Sequence, residues 1–138
     1  MKKKILAIIL ARGNSKRIKN KNIKIFKKKP LISWTLDVAK KINYFHDILV
    51  SSDSPRILKI SKSNNKKIIV LKRPQKFSSD KSSSESAILH AVKWYEKKFS
   101  KIDYIALLQP TSPFRTKKTI NIGINKIKNS KLNAVIAV

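Results

Sequence analysis

The chain has no cysteine, which removes disulfide frameworks, thiolate zinc sites and cysteine nucleophiles from consideration and leaves the redox compartment unconstrained. Acidic residues are scarce too: seven Asp and Glu among 138 residues, with no pair in any loop that carries a motif. Only two glycines are present, and the cationic segment after the first apolar run matches no known phosphate fingerprint by spacing alone. No run approaches the roughly 18 consecutive apolar residues of a membrane span. The apolar run that follows the basic N-terminus is too short and too strand-like for a secretory signal. These absences lead us to expect a soluble, cytoplasmic protein with no membrane partner. His46 and His90 have neither a nearby carboxylate nor a second histidine at ligand spacing, so core or surface roles are expected of them.

What the chain has in abundance is positive charge: Lys and Arg total 33, for a formal net charge of +26. A basic groove for nucleic acid is one reading of that excess. Yet the cations, 28 Lys against 5 Arg, are spread over every segment alongside 21 Ile and 10 Asn. Lys, Ile and Asn share codons rich in adenine and thymine, so genome base composition accounts for the charge, and nucleic acid is not the expected partner. Whatever its origin, the charge raises the local concentration of anionic substrates. An apolar fraction of 41% suffices for a core, and the length fits one domain over residues 1–138.

Short apolar runs alternate with helical patterns. Lys4 to Leu10 reads as a strand buried on both faces. Leu31 to about Ile42 places Trp34, Val38 and Ile42 at helical spacing, with Leu31 and Ala39 beside them. Asp47 to Ser52 is a second strand, and Ser54-Pro55 supplies an N-cap and a first-turn proline for a helix to about Ser63. Lys67 to Leu71 is a third strand. Ser82 with Glu85 makes a capping-box pattern for a helix to about Lys98, buried through Ile88, Ala91, Val92 and Tyr95. Asp103 to Leu108 is a fourth strand, Thr116 caps a helix buried through Ile120, Ile124 and Ile127, and Leu132 to Val138 begins a fifth strand. The expected fold class is α/β, a Rossmann-like parallel sheet with helices on both faces. Because the chain stops on an apolar strand, we expect it to be truncated at its C-terminus.

Two loops stand out in that order. Residues 11–22, leaving the first strand, carry Arg12, Lys16, Arg17, Lys19 and Lys21 together with one glycine, three amide side chains and a hydroxyl, which equips them to hold a polyanion such as a triphosphate. Backbone amides of Gly13 and Asn14 are plausible donors in an anion-binding nest. Residues 109–115, Gln-Pro-Thr-Ser-Pro-Phe-Arg, leave the fourth strand. If the first three strands wind one way and the fourth lies on the other side of the first, both loops meet at the switch point where open α/β sheets bind ligands.

Ala11-Arg12-Gly13-Asn14-Ser15-Lys16, Lys21-Asn22, Lys29-Pro30-Leu31-Ile32, Val50-Ser51-Ser52-Asp53, Arg73-Pro74 and Leu107-Leu108-Gln109-Pro110-Thr111-Ser112-Pro113 occur in this order. Together they resemble the acylneuraminate cytidylyltransferases, or CMP-sialic acid synthetases, across the whole chain. The Leu-Leu-Gln-Pro-Thr-Ser-Pro segment is the most specific element. The resemblance implies a nucleotide-diphospho-sugar transferase-like fold that activates a nine-carbon 2-keto acid sugar (sialic, legionaminic or pseudaminic acid) with CTP and Mg²⁺, releasing pyrophosphate. It implies that Arg12, Ser15, Lys16 and Lys21 contact the triphosphate, with Ala11, Gly13 and Asn14 also among the nucleotide-binding residues. Asn22, Arg73 and Ser84 then contact the cytidine, and Gln109 lies between nucleotide and sugar. Arg12, Lys16, Lys21 and Gln109 are the expected catalytic residues. Asp53, at a strand end, is either an N-cap or a neighbour of the ligand. The resemblance further implies a homodimer at full length and metal-binding aspartates beyond residue 138. Asn14 stands where many members have a second glycine, and Lys19 where many have proline. Two rivals from other classes are a nucleotide-binding module without catalysis and a basic nucleic-acid-binding protein.

Overall fold

A computed structural model of the chain describes residues 2–13, 20–79, 82–113 and 115–129. Its centre is the strand β1 (Ile5–Leu10). Ile5 through Ile9 are all buried, and their alternation divides the core in two. Ile5, Ala7 and Ile9 point to the face covered by the helices α1 (Leu31–Ala39), α2 (Pro55–Asn64) and α4 (Lys117–Lys128). Leu6 and Ile8 point to the face covered by α3 (Ser84–Lys98) through Ala91 and Tyr95. A continuous apolar run is what a strand needs when both faces are covered, because each successive side chain enters a different apolar layer.

The chain also forms a two-residue antiparallel pair, β2 (Ile25–Phe26) with β3 (Lys29–Pro30), and the strands β4 (Phe45–Ser52), β5 (Ile69–Lys72) and β6 (Tyr104–Leu108). The main sheet has the order β5-β4-β1-β6, and all its pairings are parallel. The four-strand, helix-covered α/β reading of the sequence is therefore met. So is the reversal of winding: β4 and β5 lie on one side of β1 and β6 on the other. Among the described residues β6 is the edge, with Ile105 and Leu107 exposed. The expected fifth strand, Leu132 to Val138, lies outside the described residues.

Three local expectations are corrected. The buried face of α1 is Ile32, Leu36 and Ala39, whereas Trp34 and Val38 are only half-buried. Trp34 is drawn sideways: its indole N–H donates to the Phe26 carbonyl at 2.9 Å, and the Lys29 ammonium sits 4.0 Å from its ring centroid. The N-cap of α3 is Ser83, whose hydroxyl accepts from the Ser86 amide at 3.1 Å. Ser82 is not the cap because its hydroxyl donates to the Lys76 carbonyl at 2.6 Å and pairs with Ser79 at 2.9 Å. The buried stripe of α3 is Ala87, Ala91 and Tyr95, with Ile88 and Val92 partly covered. By contrast, Ser54 and Thr116 cap α2 and α4 as the sequence predicts.

The β2–β3 hairpin was absent from the sequence reading. Its turn residues Lys27 and Lys28 have φ of 46° and 75°. Asn-Gly is the usual pair at such a left-handed turn, so two lysines give no hairpin signal.

Candidate nucleotide site

The strands end at a cleft of about 390 Å³ whose walls come from separate parts of the chain. Arg12 follows β1; Lys21 and Asn22 lie in the short 3₁₀ turn Lys21–Ile23. Arg73 follows β5, Ser84 opens α3, and Gln109 follows β6. Six of the residues singled out in the sequence thus line one cavity between the ends of β1 and β6, the switch point of the sheet. The described lining carries three cations and no acid, so its field favours an anion. Asn14, Ser15 and Lys16 lie outside the described residues.

Each side chain is held differently. Asn22 is buried, and its amide donates to the Arg12 carbonyl at 2.9 Å, which fixes the start of the cationic loop against the turn that carries Lys21. Arg73 is also buried. Its amide continues the sheet by donating to the Ser52 carbonyl at 2.8 Å, and its guanidinium reaches the Ser51 carbonyl only at 3.5 Å. Among the described residues the buried Arg73 Nε and Ser51 Oγ have no partner. Burial lowers the Arg73 pKa, the Asp53 carboxylate opposes that shift, and Arg12 adds to it. A buried guanidinium with an unmatched donor on a cleft wall is an anion or carbonyl receptor awaiting an acceptor.

Gln109 is exposed; its backbone carbonyl accepts from Thr35 and its side-chain oxygen from Thr111, both at 3.5 Å. Behind the opposite wall, Phe77 of the 3₁₀ turn Gln75–Phe77 stacks on His90 with ring centroids 5.0 Å apart. Burial, then Arg73 and Lys76, lower the His90 pKa. His46 stands apart, 4.0 Å from Asp47 and half exposed.

Ala11 does not sit as a nucleotide-binding residue would, and Gly13 does not sit as the nest reading expects. Ala11 is fully buried, with its amide donating to the Ser51 carbonyl at 3.0 Å. The Gly13 amide is also engaged: it donates to Asp53 Oδ1 at 2.9 Å, so it is turned toward β4 rather than toward a bound anion. Asp53 therefore caps no helix, that role falling to Ser54. Sequence reasoning missed this link, and also the contribution of Phe77, Ser79, Ser82 and Ser83 to the cleft. Only the clustering of serines at residues 78–84 hinted at a polar wall there.

The described residues offer no ready-made cage for a metal ion. They contain no group of three His, Asp or Glu side chains that could hold an ion, and Asp53, beside the cationic loop, already accepts from Gly13.

The sequence model of the family described as cytidylyltransferase matches residues 6–136. The chain belongs to the cytidylyltransferase family. The N-acylneuraminate cytidylyltransferase of Escherichia coli O18:K1:H7 is 38% identical over 115 residues, covering 83% of this chain and 26% of that protein. The CMP-N,N'-diacetyllegionaminic acid synthase of Legionella pneumophila is 33% identical over 138 residues, covering 96% of this chain and 57% of that protein. This cytidylyltransferase chain thus spans from about a quarter to somewhat over half the length of these relatives. Among solved structures, a CMP:2-keto-3-deoxy-manno-octonic acid synthetase in complex with CTP superposes with a TM-score of 0.74 at 20% identity, covering 92% of this chain and 48% of that one. The fold is that of the nucleotidyltransferases. No described helix is long and apolar enough to cross a membrane.

Proposed function

We propose that residues 1–138 form the nucleotide-binding domain of an enzyme that transfers CMP from CTP to the anomeric hydroxyl of a nine-carbon 2-keto acid sugar, releasing pyrophosphate. The observation that carries this reading is the convergence of Arg12, Lys21, Arg73 and Gln109, from four segments, on one cleft at the switch point of the sheet. In such a transfer the sugar hydroxyl attacks the α-phosphorus while negative charge grows on the departing pyrophosphate. Positioning and fixed positive charge lower the barrier of this step.

Arg12 and Lys21, joined through the Asn22 bond to the Arg12 carbonyl, are suited to the triphosphate. The unmatched Nε of Arg73 is suited to a carbonyl acceptor on the base, with Asn22 and Ser84 beside it. Gln109, at the end of β6 and across the cleft, is suited to the boundary between nucleotide and sugar. Its acid group makes the nine-carbon sugar a further anion for a cationic cleft. Relatives named for sialic and legionaminic acids support the class of acceptor.

Isothermal titration with CTP, UTP, ATP and GTP tests the nucleotide assignment. Micromolar binding of CTP, at least tenfold tighter than ATP or GTP, is expected. No protection of the chain by CTP against thermal unfolding would end this reading. Steep, salt-sensitive binding of DNA or RNA, with no CTP binding, would replace it with nucleic-acid recognition.

A further inference from the structure

We infer that Asp53 is a positioning residue for the nucleotide site, the anchor that holds the β1-terminal loop down on the end of β4. Three observations meet at this carboxylate. Its Oδ1 accepts the Gly13 amide at 2.9 Å, a bond across 40 residues of sequence from the loop to the strand end. Gly13 lies so close to the start of α2 that a Cβ on it would stand 3.0 Å from Ser54 Cβ and 3.7 Å from Asp53 Oδ1. The same carboxylate is the opposing charge that the buried Arg73 guanidinium feels, while Arg12, one residue before Gly13, repels it.

Asp53 therefore binds the start of the loop, at Gly13, to the strand end by a charge-assisted hydrogen bond, and its charge also opposes the repulsion that Arg73 feels from Arg12. It does not line the cleft, so it acts through Gly13, Arg12 and Arg73 rather than on a ligand. The absence of a side chain at Gly13 lets the loop sit close enough to make the bond. With the Gly13 amide committed to Asp53, the direction in which Arg12 leaves β1 is set by two bonds: this one, and the Asn22 bond to the Arg12 carbonyl at 2.9 Å. Two anchors on adjacent residues preorganise the cation, which avoids ordering it when the anion arrives.

Asp53's effect on affinity presupposes that the cleft takes CTP; its effect on the loop does not. Both are measured on the chain by ¹H–¹⁵N NMR exchange of the Gly13 amide and by calorimetric titration with CTP. Asp53→Ala should expose the Gly13 amide, speeding its exchange at least tenfold, and raise the Kd for CTP about tenfold, the loss expected when a charged acceptor is removed. Asp53→Asn, which keeps a carbonyl oxygen for the amide, should restore slow exchange and bring the Kd within about threefold of the parent chain. Gly13→Ala should reproduce the Asp53→Ala exchange rate with the carboxylate still present, and it keeps the anchor testable if Asp53→Ala does not fold. Parent-like exchange in Asp53→Ala, or fast exchange in both Asp53 variants, would overturn the anchor. A parent chain that binds no CTP while its Gly13 amide responds as described would remove the nucleotide assignment and leave the anchor standing.

Discussion

Two polar clusters at opposite ends of the parallel sheet, Tyr95 with Asp47 and Arg73 with Ser51, are satisfied to different degrees. At the amino ends of the strands, the enclosed Tyr95 hydroxyl donates to Asp47 and the exposed Asp103 exchanges backbone and side-chain bonds with Lys4, while Asn64 Oδ1, at the end of α2, is the one buried polar atom there without a partner among the described residues. At the carboxyl ends, the Arg73 Nε and Ser51 Oγ are buried without partners among the described residues, and Arg73 and Arg12 repel each other. An unmatched buried donor costs about 1–3 kcal/mol, and folding alone gives no reason to retain it. On the proposed function, the Tyr95–Asp47 bond serves stability, while the Arg73 cluster gives up some stability to keep charged donors ready for a ligand.

Changes in the hydrocarbon shared by both ends should have the largest effect. Ile9→Ala empties a fully buried position between α1, α2 and α4, and a loss of about 3–4 kcal/mol is expected. That is a large fraction of the roughly 5–15 kcal/mol that holds a domain folded. Chemical denaturation measures it; a loss below about 1 kcal/mol would mean that the helices close over the gap.

The contrast is tested most directly at Arg73. Arg73→Met keeps the bulk, removes a desolvated charge, and removes the repulsion with Arg12. CTP affinity should fall at least tenfold, about 1.4 kcal/mol or more, while the melting temperature holds or rises. A variant that melted well below the parent would show that the guanidinium is structural. In that case the carboxyl end would not differ in kind from the amino end.

Tyr95→Phe is the converse test. Tyr95 is fully enclosed, and its pKa is raised first by burial and then by the hydrogen bond to Asp47, so the hydroxyl stays protonated as the donor. Removing it should cost about 1–2 kcal/mol and leave the Kd for CTP within error, since α3 meets the cleft at its other end. A matched loss of stability and affinity would instead tie the amino end to the site.

The sequence disclosed what repeats and missed what closes up at a distance. The apolar runs and caps located the four main strands and the helices, because a strand buried on both faces and a Ser-Pro helix start are local signals. The two loops at the switch point were legible for the same reason: each follows a strand directly. The anchor between Gly13 and Asp53 was not, since nothing in the spacing of two residues 40 positions apart says that they touch. The α1 face was misjudged because Trp34 obeys the hairpin carbonyl of Phe26 rather than helical periodicity. That hairpin was itself hidden by lysines at its turn.

The smallest expected effect reports the electrostatics of the carboxyl end directly. His90 stacks behind Phe77 of the cleft wall, its Nδ1 is buried without a partner among the described residues, and burial, then Arg73 and Lys76, hold its pKa below the ordinary imidazole value. A histidine depressed in the folded state takes up its proton first in the unfolded chain. Its contribution to stability is therefore intact above about 6.5 and is lost as the pH falls from there through the folded value. An NMR titration of the His90 ring should give a midpoint under about 6.5 in the parent chain. It should move upward, though not all the way, in Arg73→Met, because burial and Lys76 remain. CTP binding should move it in the same direction by placing negative charge beside the same cations. Coinciding midpoints for the parent and Arg73→Met would mean that Arg73's charge is already neutralised by Asp53 before any ligand arrives. The Arg73 cluster would then be as fully matched as the Tyr95–Asp47 pair.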